Sequence, residues 1–99
     1  MTNEELVELI QSGENVTDNM EQLYNQNHGM IYKIAKKYTY AEDIEDLFQE
    51  SYMALYKAAC KYKKDQGAAF LTYMVMSIDR QLNRYVAKSR LVRIPIHKH

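Results

Sequence analysis

Tryptophan is absent from this 99-residue sequence, and cysteine and proline occur once each. The lone Cys60 cannot close an internal disulfide, which excludes a disulfide-stapled scaffold and fits a reducing cytoplasm. Glycine occurs three times, and β-branched residues nowhere alternate with polar ones, so the signature of a strand-rich chain is missing. No apolar run approaches the roughly 20 residues that a membrane span needs. The opening residues, 1–10, lack the basic start and apolar core of a signal peptide. There is no serine elbow, no glycine loop to cradle phosphates and no paired-carboxylate motif. The expected activity is binding without bond-making, with no metal and no cofactor.

What is present is charge, unevenly placed, and tyrosine. Hydrophobic residues make up 46% and charged residues 26%, ordinary for a globular protein, and the length suits one domain over residues 1–99. The formal net charge is zero. Residues 1–60 nevertheless hold eleven acidic and four basic side chains, a balance of −7, and residues 61–99 hold two and nine, a balance of +7. Such a split suggests two partners of opposite character, the basic half facing nucleic acid; its plainer reading is two solvated faces. Nine tyrosines and two phenylalanines supply rings that can be half buried and still present a hydroxyl or a face.

The apolar spacing is helical throughout and predicts an all-α, compact bundle of about four helices. The N-terminal helix, within residues 1–16, starts at Thr2, which forms a capping-box pattern with Glu5, and stops near Gly13. A second starts near Thr17 or Asp18, with Met20, Leu23, Tyr24, Ile31, Ile34, Ala35 and Tyr38 inward and Gly29 marking a bend. A third runs from about Asp43 to Tyr62, burying Ile44, Leu47, Phe48, Ser51, Leu55, Ala58 and Tyr62. Lys63 to Gly67 reads as a loop. A fourth runs from about Phe70 to Lys88. Pro95 then predicts an extended basic tail over residues 89–99.

On a helical wheel the fourth helix has two faces. Leu71, Met74, Val75, Ile78, Leu82, Tyr85 and Val86 form the core stripe. Ser77, Arg80, Arg84 and Lys88 lie within about 60° of Tyr73 on the outer face, with Met76 beside them and Asn83 at the margin. Guanidinium groups neutralise phosphates or pair with base edges, an Asn amide reads adenine, and a Tyr ring stacks on an exposed base. Arg90 and Arg93 carry the basic track into the tail. The helix dipole alone would account for Arg84 and Lys88 but not for an outward Tyr73. The third helix shows the complementary face: Glu42, Asp43, Asp46, Gln49, Glu50 and Met53 form an acidic patch suited to a basic protein surface. Acidic residues in a first turn also stabilise any helix. His97 and His99 have no partners at zinc spacing, and Cys60 reads as a small buried apolar residue.

Asp46-Leu47-Phe48-Gln49-Glu50 resembles the D-L-x-Q-E motif of the sigma-70 family of RNA polymerase sigma factors. Ile34-Ala35-Lys36-Lys37-Tyr38 stands before it in the family's order. Ala58, Lys61-Tyr62, Gly67, Phe70-Leu71-Thr72-Tyr73, Ile78, Arg84 and Arg93-Ile94-Pro95-Ile96-His97 follow, with about one residue fewer near Ala87–Ser89. The match spans roughly residues 20–97 and corresponds to the family's region 2.

The resemblance implies partners and roles. Asp46, Gln49 and Glu50, with Asp43 and Met53 beside them, would bind the coiled coil of the β′ subunit of core RNA polymerase. Tyr62, Gln66, Thr72 and Tyr73 would line a pocket for a flipped base of the −10 element's non-template strand, with Lys63 and Lys64 on the loop. Arg80 and Asn83 occupy positions that read that element's upstream edge, and Arg84 a backbone-contacting one. An anti-sigma factor is a further implied partner. Met76-Ser77 replaces the tandem Trp pair with which principal sigma factors wedge the duplex open, which implies weaker melting and a narrower promoter set. Arg80 and Asn83 replace the family's Gln and Thr. Family members continue toward a −35-reading domain, whereas this sequence stops at His99. A stand-alone region 2 acting with a separate −35-reading subunit, or a helical interaction module without DNA function, are the alternative expectations.

Overall fold

Thr2 opens the first helix through a reciprocal cap, as the spacing predicts. In the computed structural model, which describes the backbone of residues 1–96 and the side chains of residues 1–89 except Gln66, Thr2 Oγ1 accepts from the Glu5 backbone N–H at 3.1 Å. Glu5 Oε1 accepts from the Thr2 N–H at 2.8 Å, and that bond holds the Glu5 carboxyl below its usual range. Helix α1 spans Asn3–Gln11. Gly13 then turns the chain at φ +82°, a conformation that costs a residue without Cβ little.

The predicted second helix is two. Helix α2 covers Val16–Gln26 and α3 covers His28–Lys36. They part at Asn27, with φ −108° and ψ 9°, while Gly29, the expected bend, is an ordinary helical residue. The cause is a side chain that replaces the backbone. The Asn27 backbone N–H bonds to the Tyr24 carbonyl, and its side-chain amide donates to the Leu23 carbonyl at 2.8 Å. The same amide donates to Asn3 Oδ1 at 2.8 Å and accepts from Asn3 Nδ2 at 3.2 Å, so the break is stitched to α1.

Helix α4 covers Ile44–Lys61 between Asp43 and Tyr62. A single 3-10 turn occupies Lys64–Gln66, and Gly67 closes it at φ +85°. Helix α5 covers Phe70–Ile96. The described residues thus form five α-helices where periodicity predicts about four, and they contain no strand. Helix α5 also continues past Lys88, where the sequence predicts an extended exit. Residues 89–94 contain neither Gly nor Pro, so nothing stops propagation before Pro95, which removes one backbone bond at the very end. Residues 97–99, with His97 and His99, lie outside the described residues.

Helices α4 and α5 pack along each other, α1 lies across α2, α4 and α5, and α3 touches α4 and α5. Phe70, Met74, Ile78, Leu82 and Val86 recur every four residues on α5 and are buried. They meet Leu47, Ala54, Leu55, Ala58 and Ala59 of α4 and Leu6, Val7 and Ile10 of α1 in one core. Leu71, expected inside, is 41% exposed; Phe70 takes the inward position, and its neighbour is turned about 100° away. Ser51, fully buried, donates its hydroxyl to the Leu47 carbonyl at 2.7 Å. Cys60, expected inside, is exposed, because Ala58 and Ala59 already face the core.

Helix α3 is fastened to α5 by a polar clasp. Tyr38 donates to Asp79 Oδ1 at 2.8 Å, and Lys37 Nζ pairs with the same oxygen at 2.8 Å. Desolvation, with the neighbouring carboxylate, pushes the Tyr38 hydroxyl up to about 12. The hydrogen bond from Lys37 holds the Asp79 carboxyl below its usual range.

Candidate functional site

The corner between α4 and α5 collects Tyr62, Lys63, Lys64, Thr72 and Tyr73 from the residues that the sequence singles out. Tyr62 ends α4 in an extended conformation. Its ring is 8% exposed, edge-on to Phe70 at 5.3 Å and tilted over Tyr73 at 5.7 Å. Its hydroxyl donates to the Ala68 carbonyl at 2.6 Å. Tyr62 is therefore a post that supports the loop, with its polar end already engaged. Lys63, Lys64 and Thr72 are exposed around it. The side chain of Gln66 lies outside the described residues.

Tyr73 is half buried, packed against the core, where the wheel predicts an outward ring. The small residues Ala54 and Ala58 of α4 leave a groove into which it leans. The ring keeps part of its surface exposed and packs beside the Tyr62 ring.

From Tyr73 the groove runs along α4 and α5. One stretch, of about 170 Å³, is lined by Ala54, Lys57, Ala58, Lys61, Tyr73, Ser77, Arg80, Gln81 and Arg84. It opens into a wider one of about 680 Å³ between Glu50, Lys57, Gln81, Arg84, Tyr85, Lys88 and Ser89. Five cations line the two, namely Lys57, Lys61, Arg80, Arg84 and Lys88, and Glu50 is their one acidic neighbour. None of the five forms a salt bridge among the described residues. Their field is thus left to act on an approaching anion. Met76 stands 53% exposed on the outer side of α5, and Asn83 is exposed as well. The side chains of Arg90 and Arg93 lie outside the described residues.

Lys57 and Lys61 are the site residues that the sequence reading missed. The signal was available. The wheel that places Asp46 and Glu50 on the outer face of α4 places Lys57 and Lys61 on the same face, within about 60° of Asp46. That face is acidic in its first half and basic in its second.

The acidic half stands only partly free. Asp43, Asp46 and Gln49 are exposed, and Met53 is 51% exposed. Glu50 instead leans toward α5, where its Oε1 accepts from Gln81 Nε2 at 3.0 Å. Gln81 Oε1 in turn accepts from Arg84 Nη2 at 3.3 Å. Glu42 is half buried and accepts from the Ser89 hydroxyl. A further patch that the sequence reading overlooked is aromatic. Tyr52, Tyr24, His28, Phe48 and Tyr32 follow one another in that order, ring to ring at 5.1 to 6.3 Å, across α2, α3 and α4.

Among the described residues no helix is long and apolar enough to cross a membrane. The family model for sigma-70 region 2 matches residues 23–92. No curated protein and no solved structure matches the chain. The family match takes in the last part of α2, all of α3 and α4, the loop and most of α5, and so includes the acidic face, the corner and the basic groove. All-helical among its described residues and matched by the family model over most of its length, this chain belongs to the sigma-70 region 2 family, whose members act in transcription initiation.

Proposed function

We propose that the chain docks on core RNA polymerase through the exposed acidic start of α4 and captures the single-stranded −10 element of a promoter along the α4–α5 groove. One observation carries the reading. Tyr73, Arg80 and Arg84, three of the residues whose family positions contact DNA, line a groove with five cations free of salt bridges among the described residues and one half-exposed Tyr ring. A strand laid in that groove places phosphates against Lys57, Lys61, Arg80, Arg84 and Lys88. Its unstacked base meets the Tyr73 face. Met76, exposed beside the groove, is the apolar side chain available to wedge between bases, a role in which Met serves with less stacking area than Trp. Melting is cheapest at flexible TA-rich steps, where stacking and phosphate neutralisation offset the unstacking. Binding is the whole activity.

Two measurements test this. A fluorescence titration compares a single-stranded −10 oligonucleotide with its duplex, and the single strand is expected to bind more tightly, with a salt slope of about −3 for about four phosphate contacts. Equal affinity for both forms removes base capture. A pull-down with core polymerase tests the acidic face: Asp46→Arg is expected to abolish binding with helix content intact, since a like-charge contact costs several kcal/mol. Retention equal to that of the unmodified chain removes the docking surface.

A further inference from the structure

We infer that α1, which lies outside the family-matched residues, is a brace for the nucleic-acid corner, and that Glu4 and Gln11 are positioning residues for it. The inference rests on the reading of that corner given above. Helix α5 starts after Ala69, whose methyl group cannot accept a hydrogen bond from the helix's unpaired first amides. Glu4 does so from another helix: its Oε2 accepts from the Phe70 N–H at 3.0 Å. Its charge also lies where the helix dipole favours an anion. At the other side of the corner, the last carbonyls of α4 lack intrahelical donors. Gln11 Nε2 donates to the carbonyls of Ala59 and Tyr62, at 2.8 Å each.

Glu4 and Gln11 stand seven residues apart, two turns along one face of α1. One rigid helix thus holds the end of α4 and the beginning of α5 together. Between them the Tyr62 hydroxyl ties the loop back on itself through the Ala68 carbonyl. Gln11 grips the backbone of the residue whose ring supports Tyr73, so slack at Gln11 reaches the base-stacking face directly.

A competing role has the opposite sign. Glu4, Glu5 and Glu8 share a small depression with Lys64, and a carboxylate there repels phosphate. If Glu4 acts only by charge, its removal strengthens strand binding. If it positions the corner, loss of the acceptor weakens binding. Glu4→Gln separates the two, because it removes the charge and keeps an acceptor oxygen.

The experiment uses the full chain with Glu4→Ala, Glu4→Gln and Gln11→Ala, and Gln11→Met if the alanine variant loses the fold by circular dichroism. Amide hydrogen exchange at Phe70 and residues 67–69 reports the corner without DNA. Titration with a single-stranded −10 oligonucleotide reports the site. Glu4→Ala and Gln11→Ala are expected to exchange faster at the corner and to bind about fivefold more weakly, the scale of a lost helix cap. Glu4→Gln is expected to stay within twofold of the unmodified chain or to bind more tightly. Unchanged exchange in Glu4→Ala overturns the brace. Faster exchange with unchanged strand affinity, or Glu4→Ala binding as tightly as Glu4→Gln, overturns the positioning role. If the unmodified chain itself binds no single strand, the functional reading falls and the positioning role with it, while exchange still decides the brace.

Discussion

Truncating Tyr73 to alanine is expected to cost both stability and strand affinity, in proportions that the structure sets. The ring is half buried, 5.7 Å from Tyr62 and packed on the core. Truncating a fully buried Phe or Trp costs about 3–5 kcal/mol, so half burial predicts a loss of about 2 kcal/mol. For a domain of this size that lowers Tm by about 8–16 °C. The exposed side of the ring is what a base would stack on, and its loss weakens single-strand binding by about 1–3 kcal/mol, or about 5- to 150-fold. Tyr73→Phe keeps the ring and is expected to retain most of both. Thermal melting and a fluorescence titration on the two variants, at a temperature where circular dichroism shows both folded, separate the effects. A folded Tyr73→Ala that binds the single strand as tightly as the unmodified chain refutes the stacking role and leaves Tyr73 a packing residue.

Replacing Lys57 and Lys61 together by alanine is expected to make the salt slope of single-strand binding shallower by about 1.4, two phosphate contacts' worth. Melting should shift little, because both are exposed; an unchanged slope shows that the strand does not run along α4. Alkaline stability should follow Tyr38. Its folded value of about 12 lies above its ordinary 10.0, so its contribution is complete below the ordinary value and fades as pH rises through the folded one. Urea midpoints measured across that window should fall more steeply in the unmodified chain than in Tyr38→Phe, and parallel curves refute the assignment. Asp79 acts at the other end of the scale. Its value is depressed by Lys37, so its contribution is present above the ordinary carboxylate range and fades as pH falls through its folded value; Asp79→Asn should flatten the acid limb.

Local patterns were legible in the sequence. The Thr2–Glu5 cap needs only residues three apart, and the starts of α4 and α5 follow from apolar spacing together with the loop signal at Gly67. What the sequence hid depends on distant partners. The break at Asn27 is stitched by Asn3, 24 positions away. The cap on Phe70 comes from Glu4, 66 positions away. A wheel also treats a helix as an isolated cylinder, and so it put Tyr73 outside. The groove that half buries this ring exists only because Ala54 and Ala58 of another helix are small. The acidic and basic faces were found because charge lies where solvent is, on the surface that a wheel does describe. Lys57 and Lys61 escaped because the outer face of their helix was followed only as far as Met53, short of its basic half.

That change of sign along one face bears on how two partners could be served at once. Asp46 and Lys61 are separated by fifteen positions of uninterrupted helix, about 22 Å of a rod with no Gly or Pro to bend it. On the proposed reading, polymerase holds the acidic end and the strand lies at the basic end, so docking fixes where the groove stands without altering its shape. The two ends are also joined laterally, since Glu50 holds Gln81 and Gln81 holds Arg84. A polymerase group that competed for Glu50 would release Gln81 and with it one restraint on Arg84, a long side chain that then gains freedom to follow a phosphate. On that reading the acidic half is a docking face at Asp46 and Gln49, while Glu50 is part of the groove's own wall.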